Sequence, residues 1–439
     1  MIIYLITYSL SFIFSRLGWF LPSGLVLMAG ALYLYWKDYR AFGNFIHLRG
    51  LFCLFFIGGQ ALSCLKLSHL QVTWSVITWL SFLAATLSFY FSFALARKWA
   101  GPPRQPHWIK KQARGGGPVI PWDRRQELRR YERTLFRAIL ALTLIASAAF
   151  FLEAAILGYI PLFIRNVPHA YSYFHISGVH YFTVSCVLVP SLSVLFFMAR
   201  DTHHRGRFFA VLVLTLVSLA IPVLCVSRFQ LIFAVGMAVF TFLSIKNKFS
   251  LRFLFLIAAI MLPAYVVLSI ARSHSVEYLN GIFAMKNPAV PIWITQPYMY
   301  IAHNYDNFNC LVEQLPSHSL GLRMLFPVLA LTGLKFIKPE WALLPIYVTK
   351  EELTTLTLIY DAYYDFGIPG VVVFCGVLGV VCALLVRGLE RMKNPVGYVV
   401  YAQMAMYMAL SFFAIWFSIP VTWFYFVVTG MVYVYVEYR

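Results

Sequence analysis

Apolar runs, most of them long enough to cross a bilayer, recur along the whole chain and are separated by short polar connectors. A hydrocarbon core about 30 Å thick needs about 20 consecutive apolar residues in helical form. The pattern predicts twelve spans, near 2–14, 18–36, 48–68, 72–96, 134–158, 178–199, 206–224, 229–245, 251–271, 367–387, 396–417 and 419–436. The first is short for that thickness, so eleven spans is the alternative. The expected class is an all-α polytopic membrane protein with 11–12 transmembrane helices. No internal repeat is evident, which disfavours a transporter built from inverted repeats.

The connectors set the orientation. Lys37, Arg40 and Arg49 follow the second span, and a dense basic cluster runs from Arg97 to Arg133. Arg200, Arg205 and Arg207 come next, then Lys246, Lys248 and Arg252, then Arg387, Arg391 and Lys393. With these spans all the groups fall on one side, and the positive-inside bias makes that side the cytoplasm. Both termini are then cytoplasmic. The long connector at 272–366 lies outside, between N-terminal helices at 1–271 and C-terminal helices at 367–439.

Composition narrows the class. The chain has 439 residues, 61% hydrophobic and 12% charged, whereas a soluble domain carries about 25% charged residues. The net charge of +19 sits in short hops between apolar runs. That pattern reads as topology, and no nucleic-acid partner is expected. Of the seven cysteines, only Cys310 falls outside an apolar run, and no CxxC pair occurs. Neither a disulfide framework nor a zinc signature is present. Met1 to Phe14 lacks the basic start of a cleavable signal peptide. Within the cytoplasmic segment 97–133, Gly101 to Pro121 reads as a Gly-, Pro- and Lys/Arg-rich linker. Trp122 to Arg133 reads as a helix lying on anionic headgroups and leading into the next span.

The outer connector of about 95 residues is too long to be structureless in a compact protein, so it is expected to be folded and functional. It holds half of the sixteen acidic residues and is rich in aromatics, among them Trp293, Tyr298, Tyr300, Tyr305 and Trp341. Aromatic and acidic residues suit sugar rings and hydroxyls; they equally suit a belt at the headgroups. Leu325 to Phe336 is apolar but too short to span, and reads as a re-entrant or interfacial helix.

Three arginines run against the positive-inside bias. Arg228 lies at an outer mouth between two spans, Arg272 where the ninth span exits, and Arg323 within the outer connector. A guanidinium stays charged and grips phosphate with two parallel hydrogen bonds, which suits a lipid-linked pyrophosphate. The alternative is snorkelling to a lipid phosphate. His303, Asp306, Asp361 and Asp365 are acid–base candidates. His303 and Asp306 share a helical face, as do Asp361 and Asp365. Glu153 lies toward the outer end of the fifth span, either facing the same cavity or pairing with an arginine. No acid pair of the metal-binding DxD kind occurs in the early outer connectors, and HExxH, Walker A and dinucleotide fingerprints are absent. Chemistry here is expected to need no metal or cofactor, with a substrate that brings its own leaving group.

The layout resembles the bacterial oligosaccharide repeat-unit polymerases, the Wzy-type O-antigen and capsule polymerases. Two stretches carry the resemblance more sharply: VSRFQLIFAVGMAVF, which places Arg228 at an outer mouth, and TTLTLIYDAYYDFGIPGVVVFCGVLG, in which D-F-G-x-x-G leads into a span. The resemblance implies a GT-C-like helical fold and an undecaprenyl-pyrophosphate-linked oligosaccharide substrate. It implies work alongside membrane lipid, with a flippase and a chain-length regulator as possible partners. Arg228 and Arg272 would hold the leaving pyrophosphate, while Asp361, Asp365 or His303 would orient or deprotonate the acceptor hydroxyl. In the related O-antigen ligases a His-Asn pair shortly precedes the equivalent G-x-x-G. Here Thr354 and Thr355 stand there, and His303-Asn304 comes about sixty residues earlier. That departure favours a polymerase over a ligase. A flippase of lipid-linked glycans is the reading from another class, although polar residues gather at the outer end rather than at the midplane.

Overall fold

A computed structural model describes residues 1–99, 125–164, 170–199, 205–247, 276–390 and 392–438, with residues 255, 257 and 259 between them. Arg272, most of the ninth predicted span and the linker at 101–121 lie outside the described residues.

The regular secondary structure of the described residues is helical. In chain order the helices are α1 (Ile2–Arg16), α2 (Phe20–Phe42), α3 (Leu48–Phe52), α4 (Gly58–Ser63), α5 (Val76–Trp99) and α6 (Arg125–Leu157). There follow α7 (Val179–Val184), α8 (Val189–Ala199), α9 (Arg205–Leu224) and α10 (Arg228–Lys246). The rest are α11 (Val276–Phe283), α12 (Ile292–Gln314), α13 (Phe326–Leu331), α14 (Leu334–Ile337), α15 (Tyr360–Glu390), α16 (Gly397–Ala409) and α17 (Pro420–Tyr438). No strand occurs among the described residues, where an isolated bridge joins Ser68 to Met285. Among the described residues, six helical stretches are long and apolar enough to cross a membrane: Val76–Trp99, Arg129–Leu157, Val179–Ala199, Arg205–Leu224, Arg228–Lys246 and Tyr360–Leu389. Lipid offers the backbone no partners, so a spanning segment must satisfy its own backbone hydrogen bonds, which favours helices. Ile2–Arg16 and Leu48–Ser63 are shorter apolar helices.

Three stretches depart from the expected boundaries. The run at 48–68 stays helical only to Ser63, passing through a π turn at Cys53–Ile57, and then reverses at Lys66 with φ 50°. The run at 396–417 leaves helix after Ala409, because its backbone is used elsewhere. The carbonyl of Ser411 accepts from Leu358 N–H at 2.9 Å and that of Phe412 accepts from the Asn304 amide at 2.7 Å. Non-helical backbone in an apolar run is tolerated where it is buried in protein in this way. The basic stretch before Arg133 does not lie across the span it feeds. From Arg125 it continues along the axis of α6, which has neither Gly nor Pro to bend it.

The chain forms two compact units. The first comprises Met1–Pro103, Ser275–Arg387 and Tyr407–Trp423. Its centre is α12, packed against α4 and α5 through the buried rings of Phe56, Trp74, Phe82, Tyr305 and Phe308. The described part of the long connector therefore shares a core with α4 and α5. At the turn between α2 and α3, Asp38 pairs with Arg49, whose guanidinium lies 4.4 Å from the Tyr90 ring centroid. The second unit comprises Arg104–His274, Gly388–Met406 and Phe424–Arg439. In it α8 packs on α6 and α10, and α7 packs on α6. Arg207 reaches the buried carboxylate of Glu132 at 3.3 Å.

Candidate functional site

The D-F-G-x-x-G stretch builds a turn. At Gly367 the backbone takes φ 62°, ψ −148°, a region essentially reserved for glycine, and the helix breaks there. Any Cβ on Gly367 would lie 3.1 Å from His318 Nε2, and one on Gly370 would lie 2.2 Å from the Ala362 carbonyl oxygen. Only glycine fits both positions. Just before the break, Asp365 is fully buried and its carboxylate accepts from the Ser319 hydroxyl, Arg323 N–H (3.1 Å) and Met324 N–H (2.9 Å). The wrapped loop contains two residues with positive φ, Leu320 and Gly321, so its geometry is imposed by these bonds.

The loop presents Arg323. Its Nε donates to Asp361 Oδ1 at 3.0 Å, and its guanidinium carbon lies 4.8 Å from the Tyr364 ring centroid and 5.8 Å from that of Tyr360. Among the described residues, Nη2 makes no hydrogen bond. The cation is held by one carboxylate, two ring faces and a long 3.5 Å hydrogen bond from Nη1 to the Leu344 carbonyl, with one buried nitrogen left over. The structure thus brings Arg323, Asp361 and Asp365 together. The chain around and after Arg323 carries exposed apolar side chains: Leu320, Leu325, Val328, Phe336, Ile337 and Leu343. The expected short helix at 325–336 appears as α13 and α14, broken at Gly333 with φ 78°.

His303 and Asp306 lie on the inner face of α12, where they do different work. Asp306 accepts from Lys66 Nζ, the Ser63 hydroxyl (3.0 Å), Gln71 Nε2 (2.9 Å) and Trp74 Nε1 (2.8 Å). It is a saturated buried anion that pins the 66–74 connector. His303 meets Thr349 Oγ1 at 2.8 Å through Nε2, while Nδ1 makes no hydrogen bond among the described residues. Burial pushes its imidazole down to about 4, against the opposing pull of Asp306 and with Lys66 adding to the fall, so it is neutral near pH 7. Asn304 accepts from the Thr355 hydroxyl, and Asn307 donates to the Leu353 and Thr355 carbonyls. His303-Asn304, remote in sequence from the G-x-x-G at 367–370, is therefore in direct contact with the Thr349–Thr355 approach to it.

The remaining candidates belong to the second unit. Arg228 is the first residue of α10, behind the Ser227 N-cap and Val226, whose φ is 55°. Glu153 is fully buried and its partner is not an arginine. It accepts from Ile176 N–H (2.8 Å), the Thr183 hydroxyl (2.7 Å) and His180 Nδ1 (3.1 Å). Sequence reasoning missed Lys66, His180, His318 and Thr349. Lys66 carried a legible signal, a charged residue at the end of an apolar run. Among the described residues, no three or more of His, Cys, Asp and Glu gather in a way that would hold a metal ion. No protein-family model, curated protein or solved structure matches this chain.

Proposed function

We propose that this chain polymerises undecaprenyl-pyrophosphate-linked oligosaccharide units at the outer face of a bacterial cytoplasmic membrane. In this reading it is a metal-independent glycosyltransferase of the Wzy-type polymerase kind, with twelve spans and a folded outer connector. One observation carries it: Arg323 sits on two tyrosine faces with one buried guanidinium nitrogen that has no hydrogen-bond partner among the described residues, in a segment that carries exposed apolar side chains. A diphosphate on a polyprenyl tail matches both features, since the guanidinium takes phosphate oxygens and the apolar side chains take the tail. Arg228 and Arg272 remain, from the resemblance alone, further candidates for holding a lipid diphosphate. Asp361 orients Arg323, and Asp365 positions the loop that carries it. Both carboxylates are committed to those bonds, and His303 is sealed at 1% exposure. The acceptor hydroxyl therefore needs another proton acceptor.

The test uses purified protein and a lipid-pyrophosphate-linked oligosaccharide. The expected products are a ladder of chain lengths and released undecaprenyl pyrophosphate. Removing a group that stabilises the departing charge costs about 10²–10³-fold in turnover. Arg323→Ala is expected to show a loss of that size at normal membrane abundance, and long chains made at the normal rate would remove Arg323 from the mechanism.

The contact of His303-Asn304 with Thr349 and Thr355 favours a second reading, transfer of the finished glycan to a different acceptor as in O-antigen ligases. Supplying lipid-linked units alone separates the two, since a ligase extends nothing without its own acceptor.

A further inference from the structure

We propose that residues 342–347 form a latch against Arg323 and that a diphosphate opens it by taking the guanidinium from this strap, an assignment whose ligand rests on the glycosyl-transfer reading. The site as it stands is closed. The Arg323 side chain is 12% exposed, and Nη2 is buried with no hydrogen-bond partner among the described residues. A buried donor without a partner is costly, and more so when it carries charge. Nη1 reaches only the Leu344 carbonyl, at 3.5 Å, beyond the usual range for such a bond. The closed arrangement thus leaves the outer end of the guanidinium poorly satisfied, while Nε stays with Asp361 at 3.0 Å. A diphosphate satisfies both Nη atoms through paired, charge-assisted hydrogen bonds once the strap moves aside.

The strap is tied at its ends and loose in its middle. The Tyr347 N–H donates to the Tyr360 hydroxyl at 2.8 Å, and that hydroxyl donates back to the Tyr347 carbonyl at 2.9 Å. Thr349, two residues on, is tied to His303 and Asn307. On the other side, Leu343 N–H donates to the Pro339 carbonyl at 3.1 Å. Among the described residues, the backbone of 344–346 makes no hydrogen bond besides the long one to Arg323. Pro345 has no N–H to offer, and Leu343, Pro345 and Ile346 are exposed, so little packing holds the middle down. Tyr360 also presents a ring face to the guanidinium, so one residue serves both the cation and the latch. A ligand shifts such a balance by its differential affinity, and the open form offers two nitrogens that the closed form withholds.

Tyr360→Phe keeps that ring and removes the hydroxyl that pins Tyr347. Two hydrogen bonds of ordinary net strength correspond to about tenfold in the opening equilibrium. Modification of Arg323 by phenylglyoxal, read by peptide mass spectrometry on the detergent-purified full chain, is expected to speed up by that factor in Tyr360→Phe. In wild type, inorganic pyrophosphate is expected to slow this modification and to speed thermolysin cleavage within 342–347. Undecaprenyl diphosphate is expected to do the same at lower concentration; equal potency of the two would overturn the lipid form as the ligand. If Tyr360→Phe does not accumulate, Pro345→Gly loosens the strap at an exposed position and carries the same expectation. Unchanged Arg323 modification in the folded variant, or cleavage that pyrophosphate does not increase, overturns the latch and leaves the glycosyl-transfer reading to the Arg323→Ala assay. Wild-type protein that releases no undecaprenyl diphosphate from lipid-linked oligosaccharide overturns that reading, while modification and cleavage still decide the latch.

Discussion

Lys66 and Asp306 hold opposite charges where almost no water reaches, and each is tolerable only because of the other. The ammonium also rests 4.1 Å from the Trp74 ring centroid. Removing one partner strands a buried charge, which costs about 3–5 kcal/mol, whereas an apolar replacement of both is often near neutral. Lys66→Met should therefore lower the melting temperature of the detergent-purified protein sharply, and Lys66→Met with Asp306→Leu should recover most of the loss. A double variant as unstable as the single would mean that Asp306 is needed for its bonds to Ser63, Gln71 and Trp74 rather than for its charge. The sequence places His303 and Asp306 on one helical face. It cannot tell a saturated anion from a free one, because the donors to Asp306 come from more than 230 positions earlier in the chain.

At the scale of elements, the kink in α15 decides where Arg323 stands. Gly367 supplies a backbone geometry other residues avoid, and Asp365 ties the 319–324 loop to the turn of helix before it. Forcing a side chain into such a conformation costs roughly 1–3 kcal/mol, and His318 leaves no room for it. Gly367→Ala is expected to destabilise the protein by that amount and to expose the 315–324 segment to protease. Gly388→Ala, farther along α15 with open space around its position, should be neutral or slightly stabilising. Equal melting temperatures for the two variants would show that the kink is not under constraint. The D-F-G-x-x-G pattern was legible as a landmark, but its reasons (a loop to anchor, a forbidden torsion, an approach to the Ala362 carbonyl) lie in contacts the string of letters does not show.

For the whole molecule, the distribution of Lys and Arg is the controlling term, since cytoplasmic connectors retain positive charge. Alkaline phosphatase fused after Gln314, within the connector that the charge pattern predicts to lie outside, should be active in cells, and a fluorescent protein fused after the C-terminus should fluoresce. The reverse pattern would invert the orientation and move Arg323 to the cytoplasmic side, where a polymerase of exported glycans has no substrate.

Hydrophobic runs by themselves determined that this is a helical membrane protein, because the energetic demand of lipid on backbone polar groups leaves few other solutions. Most helix positions followed from the same runs. Tertiary structure decided where helices stop early, as at Ser63 and Ala409, since those ends give their backbone or side chains to distant partners. It also decided which ionisable residues are spent. Asp306 and Asp365 are consumed by neighbours, Arg323 keeps a nitrogen in reserve, and Glu153 turns out to hold a histidine. Charge and spacing are local properties, but whether a charge is satisfied depends on groups the fold brings in from afar.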